Sequence, residues 1–317
     1  MKVLVTGGAG FIGSHLVDRL LKMGHSVVCF DNLSTGQIGN LNHHITHPNF
    51  KMAIDSILNR IELSDQVQNC DIVIHLAADV GLPHAVENPV ETLMTNVRGV
   101  VNVLAAAYKF GKKIVMASSS EVYGKNINGP LAEEDDLILG SPTVFRWSYS
   151  SSKIMAEQFA LAYWQKGLSV VCLRIFNTYG PRLNEDSVLS IFIRQALEGK
   201  TLTISGDGKQ KRSFTYVSDV VDGIYKASFD CPAANGEIIN LGSTEEFTIE
   251  DLALRIKTLT GSVAKLSYDH PWLDNTQRRV PNLEKARKIL GFQNSTSFDQ
   301  GLAATVDWAK QNYNVLA

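Results

Sequence analysis

Tyr149 and Lys153 are the side chains whose types and spacing best suit acid–base chemistry. They stand four residues apart in a predicted helix and would therefore share one face of it. A tyrosine with an unperturbed pKa of about 10 is a poor base at neutral pH, but a neighbouring ammonium favours the phenolate. Ser119, at the end of a predicted strand, could hydrogen-bond the same substrate oxygen. The pattern predicts a tyrosine base assisted by Lys153 and Ser119, although a solvated helix face can also carry Tyr and Lys at this spacing.

Residues 1–32 contain the elements expected of a dinucleotide-binding turn. A short apolar run leads into Gly7, Gly10 and Gly13, a helix with apolar spacing follows, and a second apolar run ends on Asp31. The glycines allow a tight turn and leave room for a pyrophosphate, whose charge the N–H groups of the helix's first turn receive. The stretch therefore predicts dinucleotide binding.

Asp31 favours NAD over NADP. At the tip of the second strand, its carboxylate can accept hydrogen bonds from both adenosine ribose hydroxyls, and it would repel a 2′-phosphate. No arginine follows it in residues 32–34. An oxidised nicotinamide near Tyr149 would also favour the phenolate form of that side chain. We therefore expect NAD as the cofactor.

Strands and helices alternate along the first 180 residues. Apolar runs predict strands over 3–5, 27–31, 50–55, 70–78, 113–117 and 168–175, and helical spacing occurs over 11–21, 57–67, 90–108 and 149–166. This rhythm predicts an α/β protein with a Rossmann-type, doubly wound parallel sheet, in which ligands bind at the carboxyl ends of the strands. Those ends are Gly7, Asp31, Asp55, Ala77, Ser119 and Asn177.

The pattern changes after residue 180, where helices are predicted over 188–197, 249–260, 283–290 and 298–311 and a strand over 202–205. We expect residues 1–180 to form an NAD-binding domain and residues 181–317 mainly a smaller, mixed α/β substrate lobe. Residues 214–242 are expected to return to the first domain, with 214–221 joining its sheet and 238–241 forming a short strand.

Composition narrows the class of protein. A net charge of −2 over 317 residues, with no run of Lys or Arg, argues against a nucleic-acid surface, and no apolar run reaches the length of a membrane span. Scattered cysteines and an opening directly on the first strand favour the cytoplasm. His43, His44 and His47 lie close together, but their loop-like setting favours a solvated loop over a metal site, and we expect no metal.

Six motifs together resemble the extended short-chain dehydrogenase/reductase family, and within it the nucleotide-sugar epimerases, dehydratases and decarboxylases. They are GGAGFIG, the aspartate at the second strand tip, HLAA, SSSEVYG, YSSSK and RIFNTYGPR, and the later segments GDGKQKRSFTYVSDVVDGI and INLGSTEEFTIEDL match the same family's substrate lobe. The resemblance implies an NAD that takes a hydride from sugar C4, giving a 4-keto intermediate, and later returns it. It also implies a homodimer, for which 90–108 and 149–166 are the candidate helices.

The same resemblance assigns roles to individual residues. Tyr149 would be the base, Lys153 would hold the nicotinamide ribose, Asp55 and Ser56 would contact adenine, and Asn96 would lie near the active site. The cofactor-binding candidates are Gly7, Gly10, Phe11, Ile12, Gly13, Asp31, Asn32, Asp55, Ser56, Leu76, Ala77, Ala78, Asn96, Tyr149 and Lys153. The substrate-binding candidates are Ser120, Asn177, Arg212 and Arg279, and the catalytic ones are Tyr149, Lys153, Ser119, Glu121 and Arg279.

Asn177 and Arg212 would bind the nucleotide diphosphate. A guanidinium suits a diphosphate, which agrees with this role for Arg212, although a surface arginine beside Lys209 and Lys211 would look the same in the sequence.

Glu121 and Arg279 bear on which reaction follows the 4-keto step. The 4-epimerases tend to be uncharged at the position of Glu121, and the 4,6-dehydratases carry an Asp where Ser120 stands. The UDP-glucuronic acid decarboxylases carry the Ser-Glu-Val-Tyr-Gly pattern found here, and Arg279 resembles the arginine that meets the sugar carboxylate in them. A 4-keto group would make the C6 carboxylate a β-keto acid, which loses CO2 readily.

We therefore favour decarboxylation of UDP-glucuronic acid, to UDP-xylose or a UDP-4-keto-pentose, over 4-epimerisation of a UDP-sugar. The sequence departs from the decarboxylase pattern at residues 149–153, where YSSSK replaces YDEGK, and in the loop 81–84. A 4,6-dehydratase and a non-catalytic NAD-binding sensor or scaffold remain as further alternatives.

Overall fold

A seven-stranded parallel sheet forms the centre of the computed structural model, which describes residues 1–270 and 276–313. In chain order its strands are β1 (Lys2–Thr6), β2 (Ser26–Asp31), β3 (Phe50–Ile54), β4 (Ile72–His75), β5 (Lys113–Ser119), β6 (Val170–Ile175) and β11 (Ile238–Leu241). They lie side by side in the order β11-β6-β5-β4-β1-β2-β3. The order reverses between β1 and β4, and a ligand site is expected at such a switch point. The predicted α/β fold with a doubly wound sheet is confirmed.

Helices cover both faces of this sheet. One face carries α1 (Phe11–Lys22), α8 (Val217–Tyr225) and α10 (Glu284–Leu290), and the other carries α2 (Arg60–Gln68), α5 (Gly99–Lys109) and α6 (Trp147–Gln165). Apolar side chains at helical spacing, such as Leu16 and Leu20 of α1 or Val100 and Val103 of α5, pack on Val, Ile and Leu residues of the strands. Burial of these two apolar layers stabilises the sheet from both sides.

The predicted helix over 90–108 is interrupted in the structure. Two short helices, α3 (Leu82–Glu87) and α4 (Pro89–Leu93), precede a π-helical turn at Met94–Arg98, and α5 follows it. The widened turn contains the buried Asn96, whose side chain bonds the backbone N–H and C=O of Asp79. A π-helical turn inside a helix often marks a functional site.

The smaller lobe has its own apolar core, to which Phe192, Leu252 and Leu302 belong. Its helices are α7 (Val188–Leu197), α9 (Ile249–Thr260) and α11 (Phe298–Asn312). Its strands form a parallel pair, β8 (Leu202–Ser205) with β13 (Leu266–Asp269), and a three-stranded sheet of β9 (Lys211–Ser213), β12 (Glu246–Thr248) and β14 (Arg278–Arg279). The remaining short helices are Ile38–His44, Ser120–Tyr123, Lys226–Asp230 and Pro232–Ala234.

The prediction that 214–221 joins the main sheet is wrong. Within this segment only β10 (Thr215–Tyr216) is extended, and it pairs with β7 (Thr178–Tyr179) in a separate two-stranded sheet. The following residues form α8, whose Val220 and Ile224 are buried against the helix α1 side of the sheet. The spacing of four between Val220 and Ile224 fits a helix better than a strand. The prediction was wrong because the adjacent Val220 and Val221 also suit a strand. The strand at 238–241 does join the main sheet, beside β6.

Among the described residues, no helix combines the length and the apolar character that crossing a membrane requires. The four cysteines are all free, and three of them are buried. The predicted domain boundaries remain a prediction.

Candidate active site

The glycine turn after β1 brings three elements into close contact. A Cβ on Gly13 would lie 2.1 Å from the Gly7 carbonyl oxygen, and one on Gly7 would lie 2.6 Å from the backbone nitrogen of Ala77. Gly7 also has a φ of +73°, which L side chains rarely adopt. Gly10 precedes the first turn of α1, where Phe11, Ile12 and Gly13 supply N–H groups without intrahelical partners. The glycines thus let the turn, α1 and the end of β4 pack closely, and the N–H groups at the start of α1 form a glycine cradle that fits the pyrophosphate of a dinucleotide.

Asp31 fixes the turn from the neighbouring strand. Its carboxylate accepts hydrogen bonds from the N–H of Ala9 at 2.9 Å and of Leu33 at 2.8 Å, and the side chain is buried. Burial raises the pKa of Asp31, while the two backbone donors oppose that rise. Each carboxylate oxygen keeps a further lone pair, so a ribose diol could still donate to it.

Six other cofactor candidates follow the strands β2, β3 and β4. Asp55 accepts hydrogen bonds from the N–H of Ser56 at 2.6 Å and from Asn59, and the Ser56 hydroxyl accepts from the N–H of Leu58. Asn32 is exposed beside Asp31 and accepts from Ser34. Leu76, Ala77 and Ala78 follow β4, beside the glycine turn.

Tyr149, Lys153 and Ser119 meet at the carboxyl end of β5. The Lys153 Nζ lies 5.7 Å from the centre of the Tyr149 ring and donates to the Ala117 carbonyl oxygen at 3.0 Å. A hydrogen bond joins the Tyr149 and Ser119 side chains. The structure therefore brings together the three residues whose spacing suggested acid–base chemistry, because α6 packs against β5 with their face inward.

Burial dominates the protonation of this group. It raises the pKa of Tyr149 well above its usual value, an effect that the Ser119 hydrogen bond opposes and the charges of Glu121 and Asp79 increase. Burial also lowers the pKa of Lys153 to about 8, while the nearby Glu157 carboxylate opposes that fall. The chain alone thus holds Tyr149 as a phenol, and an additional positive charge would be needed to make it a base.

Asn96 joins the loop after β4 to the helix that carries Tyr149. It bonds both backbone groups of Asp79, at 2.7 and 2.9 Å, and its amide also donates to the Ser152 hydroxyl at 3.3 Å. Ser152 in turn donates to the Tyr149 carbonyl oxygen at 2.7 Å. Asn96 therefore links the loop after β4 to the first turns of α6.

A second cluster surrounds Glu121. This residue lies in the Ser120–Tyr123 turn, which the Ser119 hydroxyl caps by accepting from the Glu121 N–H at 3.2 Å. Arg279 forms a hydrogen-bonded ion pair with the Glu121 carboxylate, and an Arg146 nitrogen lies 3.8 Å from its other oxygen. Arg279 and Arg212 are directly paired across β14 and β9. Sequence positions more than 150 residues apart thus meet in one charged site.

The charges in this cluster act on one another. Burial alone would raise the pKa of Glu121, but Arg279, Arg146 and Arg212 hold it below its usual value. Burial and the charge of Arg279 lower the pKa of Arg212 to about 10, which still leaves it a cation at neutral pH. Glu121 is therefore a carboxylate that cannot donate a proton, and the three arginines exceed it by two positive charges.

The remaining substrate candidates border this cluster. Ser120 is buried next to Glu121. Asn177 follows β6, and its amide donates to the carbonyl oxygen of Ser213, the residue after Arg212, at 3.4 Å. A separate cavity of about 570 Å3 lies at the ends of β8 and β13, where Ser205 and Asp269 line it, and no residue of the Glu121 cluster borders it.

The sequence did not single out four residues that shape the site. None of Arg146, Thr276, Asp79 and Glu157 was a site candidate in the sequence. Thr276 accepts a hydrogen bond from Arg279 at 3.1 Å. Their roles depend on contacts between distant segments, which spacing cannot reveal.

The cluster of histidines differs from the simple solvated loop that the sequence predicted. His43 and His44 both direct Nε2 at one oxygen of Asp18, at 2.9 and 2.7 Å, while Arg182 donates to the other oxygen at 2.9 Å. Hydrogen bonds and an ion pair already satisfy this carboxylate. The expectation that no metal binds here stays a prediction.

Comparison with known proteins shows the family to which the chain belongs. Residues 3–242 match the NAD dependent epimerase/dehydratase family. A UDP-N-acetyl-alpha-D-glucosaminuronate decarboxylase of Bacillus cytotoxicus is 39% identical, over 99% of each chain. UDP-glucuronic acid decarboxylase 1 of Xenopus tropicalis is 37% identical, over 98% of this chain and 72% of the relative.

Solved structures of epimerases are also similar to this chain. The UDP-glucuronic acid 4-epimerase from Bacillus cereus, in complex with UDP-glucuronic acid and NAD, superposes with a TM-score of 0.92 at 32% identity, covering 99% of this chain and 100% of the other. A UDP-glucose 4-epimerase of Thermotoga maritima gives a TM-score of 0.90 at 31% identity, covering 98% and 99%. The predicted family and its NAD cofactor are confirmed: the chain belongs to the NAD-dependent epimerase/dehydratase family.

Proposed function

We propose that the chain is a decarboxylase of a UDP-linked uronic acid, acting through a 4-keto intermediate. UDP-glucuronic acid is the substrate expected from the residue pattern, and the Bacillus relative adds its 2-acetamido analogue as a candidate. The observation that carries the proposal is the cluster of Arg146, Arg212 and Arg279 around the single carboxylate of Glu121. Its two excess positive charges suit a ligand with both a diphosphate and a sugar carboxylate.

Tyr149, Lys153 and Ser119 would perform the oxidation step. NAD, when bound in the glycine cradle, supplies the hydride acceptor and a positive charge near the phenol. Tyr149 would take the proton from the sugar C4 hydroxyl, and Ser119, already bonded to Tyr149, would hold the same oxygen. Lys153 would stabilise the phenolate from the same helix face.

The second cluster would govern the loss of CO2. With a carbonyl at C4, the C5–C6 bond can break, its electron pair forming an enolate while the carboxylate leaves as CO2. Arg279 would bind that carboxylate, and Glu121 would compete for the same guanidinium. Because Glu121 competes for Arg279, the substrate carboxylate is bound less tightly. Its binding therefore does not stabilise the substrate relative to the transition state for loss of CO2.

A 4-epimerase that acts on a carboxylated sugar is the second candidate. The B. cereus epimerase favours it, since that protein matches the whole chain and is in complex with UDP-glucuronic acid. Both functions require a carboxylate site, but only decarboxylation gives Glu121 a part in the chemistry after oxidation. Tyr149 and Lys153 are both retained, which argues against a non-catalytic sensor.

The test is to incubate the purified protein separately with UDP-glucuronic acid, UDP-N-acetylglucosaminuronic acid and UDP-glucose and to identify the products by NMR. The proposal predicts a pentose product from one or both acids and no product from UDP-glucose. A C4 epimer formed without CO2 would establish the epimerase instead.

We also propose a homodimer formed through α5 and α6. Apolar side chains on these helices are exposed, including Tyr108, Met155, Phe159 and Trp164. An apolar patch of this kind marks a protein interface. Light scattering at micromolar concentration should give twice the 34.8 kDa chain mass, and a monomer would refute the proposal.

Free cysteines and an NAD-linked reaction support the cytoplasm as the location.

A further inference from the structure

Leu33 and Arg182 are, among the described residues, the only non-glycine residues with a positive φ, at +60° and +64°. Side chains of this size rarely adopt such a conformation, so neighbouring contacts must hold it, and strained residues of this kind often lie at functional sites. Leu33 lies just after the ribose-binding candidate Asp31, whose carboxylate accepts the Leu33 N–H at 2.8 Å. Arg182 ends the entry turn, residues 180–182, after which the chain passes into the smaller lobe. One strained residue therefore lies on the cofactor side and the other on the lobe side.

Helix α1 holds the entry turn at two points. The Arg182 guanidinium donates to one oxygen of the Asp18 carboxylate at 2.9 Å, and the His15 Nε2 donates to the Pro181 carbonyl oxygen at 2.8 Å. The next residue, Leu183, is buried in the apolar core of the smaller lobe. Because the entry turn adjoins that core directly, its contacts with α1 fix where the lobe begins relative to the main sheet.

The loop after β2, residues 32–44, packs on the glycine cradle. The Gln37 N–H and the Asn40 side-chain amide both donate to the Ala9 carbonyl oxygen at 3.0 Å. The Ala9 N–H donates in turn to the Asp31 carboxylate. The loop therefore contacts the part of the chain that is expected to hold the pyrophosphate and the ribose of NAD.

Asp18 joins this loop to the entry turn. Its second carboxylate oxygen accepts hydrogen bonds from the Nε2 atoms of His43 and His44, at the end of the loop, at 2.9 and 2.7 Å. Burial alone would raise the pKa of Asp18, but Arg182 and the two histidines hold it below its usual value. Asp18 is therefore a carboxylate at neutral pH, and it holds a guanidinium and two imidazoles at once.

We propose that Asp18 is a positioning residue that couples NAD binding to the placement of the smaller lobe. With NAD bound at Asp31, the loop after β2 is held in place, and its histidines keep the Asp18 carboxylate directed at Arg182. Without that contact, Arg182 would relax to a negative φ and redirect the chain that enters the lobe. Strands β9 and β14 of the lobe carry two arginines of the Glu121 cluster, so the placement of the lobe sets their distance from Tyr149. This coupling holds whichever sugar is the substrate, and it therefore goes beyond the proposed function.

Two variants break the contact from its two ends. Asp18→Ala removes the carboxylate at a partly exposed helix position, where alanine suits the helix. Arg182→Gly removes the guanidinium, while glycine adopts the positive φ without strain. Asp222→Ala is the matched control, because Asp222 also forms an ion pair with α1, through Arg19 at 3.7 Å, and is 37% exposed against 32% for Asp18.

Hydrogen exchange of the full chain, followed by mass spectrometry, measures the coupling. In the wild type and in Asp222→Ala, saturating NAD should slow the exchange of residues 176–183 by about fivefold or more. In Asp18→Ala, NAD should slow it by less than about twofold. In the NAD-loaded protein, Arg182→Gly should speed the exchange of residues 33–44 by about fivefold, because that loop meets Arg182 through Asp18.

Equal protection by NAD in the wild type and Asp18→Ala would overturn the proposal, as would the same loss of protection in Asp222→Ala. Exchange of residues 33–44 that Arg182→Gly leaves unchanged would also overturn it, and this comparison decides even if Asp18→Ala does not fold. No arm uses a UDP-sugar, so the outcome is independent of the proposed decarboxylation.

Discussion

Replacing Glu121 by Gln removes the one carboxylate at the centre of the arginine cluster while nearly preserving its shape. The Arg146 nitrogen lies 3.8 Å from the Glu121 carboxylate, and Arg279 is closer. A pair at about 4 Å is worth about 4 kcal/mol at an effective dielectric constant of 20 and about 1 kcal/mol in water. Glu121 is 31% exposed, which places it between these limits. We therefore expect the variant to lose about 1–3 kcal/mol of stability.

For a chain of this size the loss corresponds to a fall in the thermal unfolding midpoint of about 1.5–4.5 °C, measured without ligand at pH 7. The pH dependence tests its cause. Because the arginines hold the pKa of Glu121 below its usual value, its contribution is complete above the pKa of the unfolded chain, about 4.3, and disappears as the pH falls through the folded value. The gap between wild type and variant should therefore be constant from pH 6 to 8 and should narrow below pH 4.5.

Glu185→Gln is the matched control. Glu185 also forms an ion pair with an arginine, Arg194, at 2.8 Å, but its side chain is 63% exposed. Its loss should cost less than about 0.5 kcal/mol. Equal midpoints for wild type and Glu121→Gln at pH 7, or a gap that persists unchanged into acid, would refute the electrostatic account of the cluster.

Three further substitutions test other parts of the site. Tyr149→Phe should reduce kcat, measured by NMR, by about 100-fold or more and leave UDP affinity, measured by calorimetry, within about twofold. Tyr163→Phe on the same helix is the control. Similar losses of kcat in both variants would contradict the role of Tyr149. Gly13→Ala should cost about 1–3 kcal/mol of stability and abolish NAD binding, because its Cβ would lie 2.1 Å from the Gly7 oxygen, whereas Gly24→Ala, with nothing within 4 Å, should retain NAD binding. Arg279→Met should weaken binding of UDP-glucuronic acid about tenfold more than that of UDP-glucose in equilibrium titrations, and equal losses would exclude a carboxylate role.

The sequence predicted the parts of the fold that local patterns determine. Parallel strands buried on both faces read as continuous apolar runs, and the turn after β1 requires glycines wherever backbone segments touch. Residues 214–221 were mispredicted because two adjacent valines suit a strand as well as the buried face of α8. The π-helical turn at Met94–Arg98 has no pattern of its own, and its Asn96 contacts Asp79, 17 residues earlier in the chain.

Part of the site could be predicted because spacing on one helix fixes Tyr149 and Lys153 relative to each other. The structure also places Arg279 on Glu121, a pair the sequence named separately for their resemblance to one enzyme class. Arg146 and Glu157 were not predicted as site residues, because their contacts form only when distant segments pack together.

Release of the C6 carbon is the most direct test of decarboxylation. UDP-glucuronic acid and UDP-N-acetylglucosaminuronic acid, each labelled with 13C at C6, would be incubated with the protein and NAD and followed by NMR. Label from at least one of them should appear as CO2 and bicarbonate, and Tyr149→Phe should abolish this release. Label that stays in the sugar while its C4 configuration inverts would contradict it.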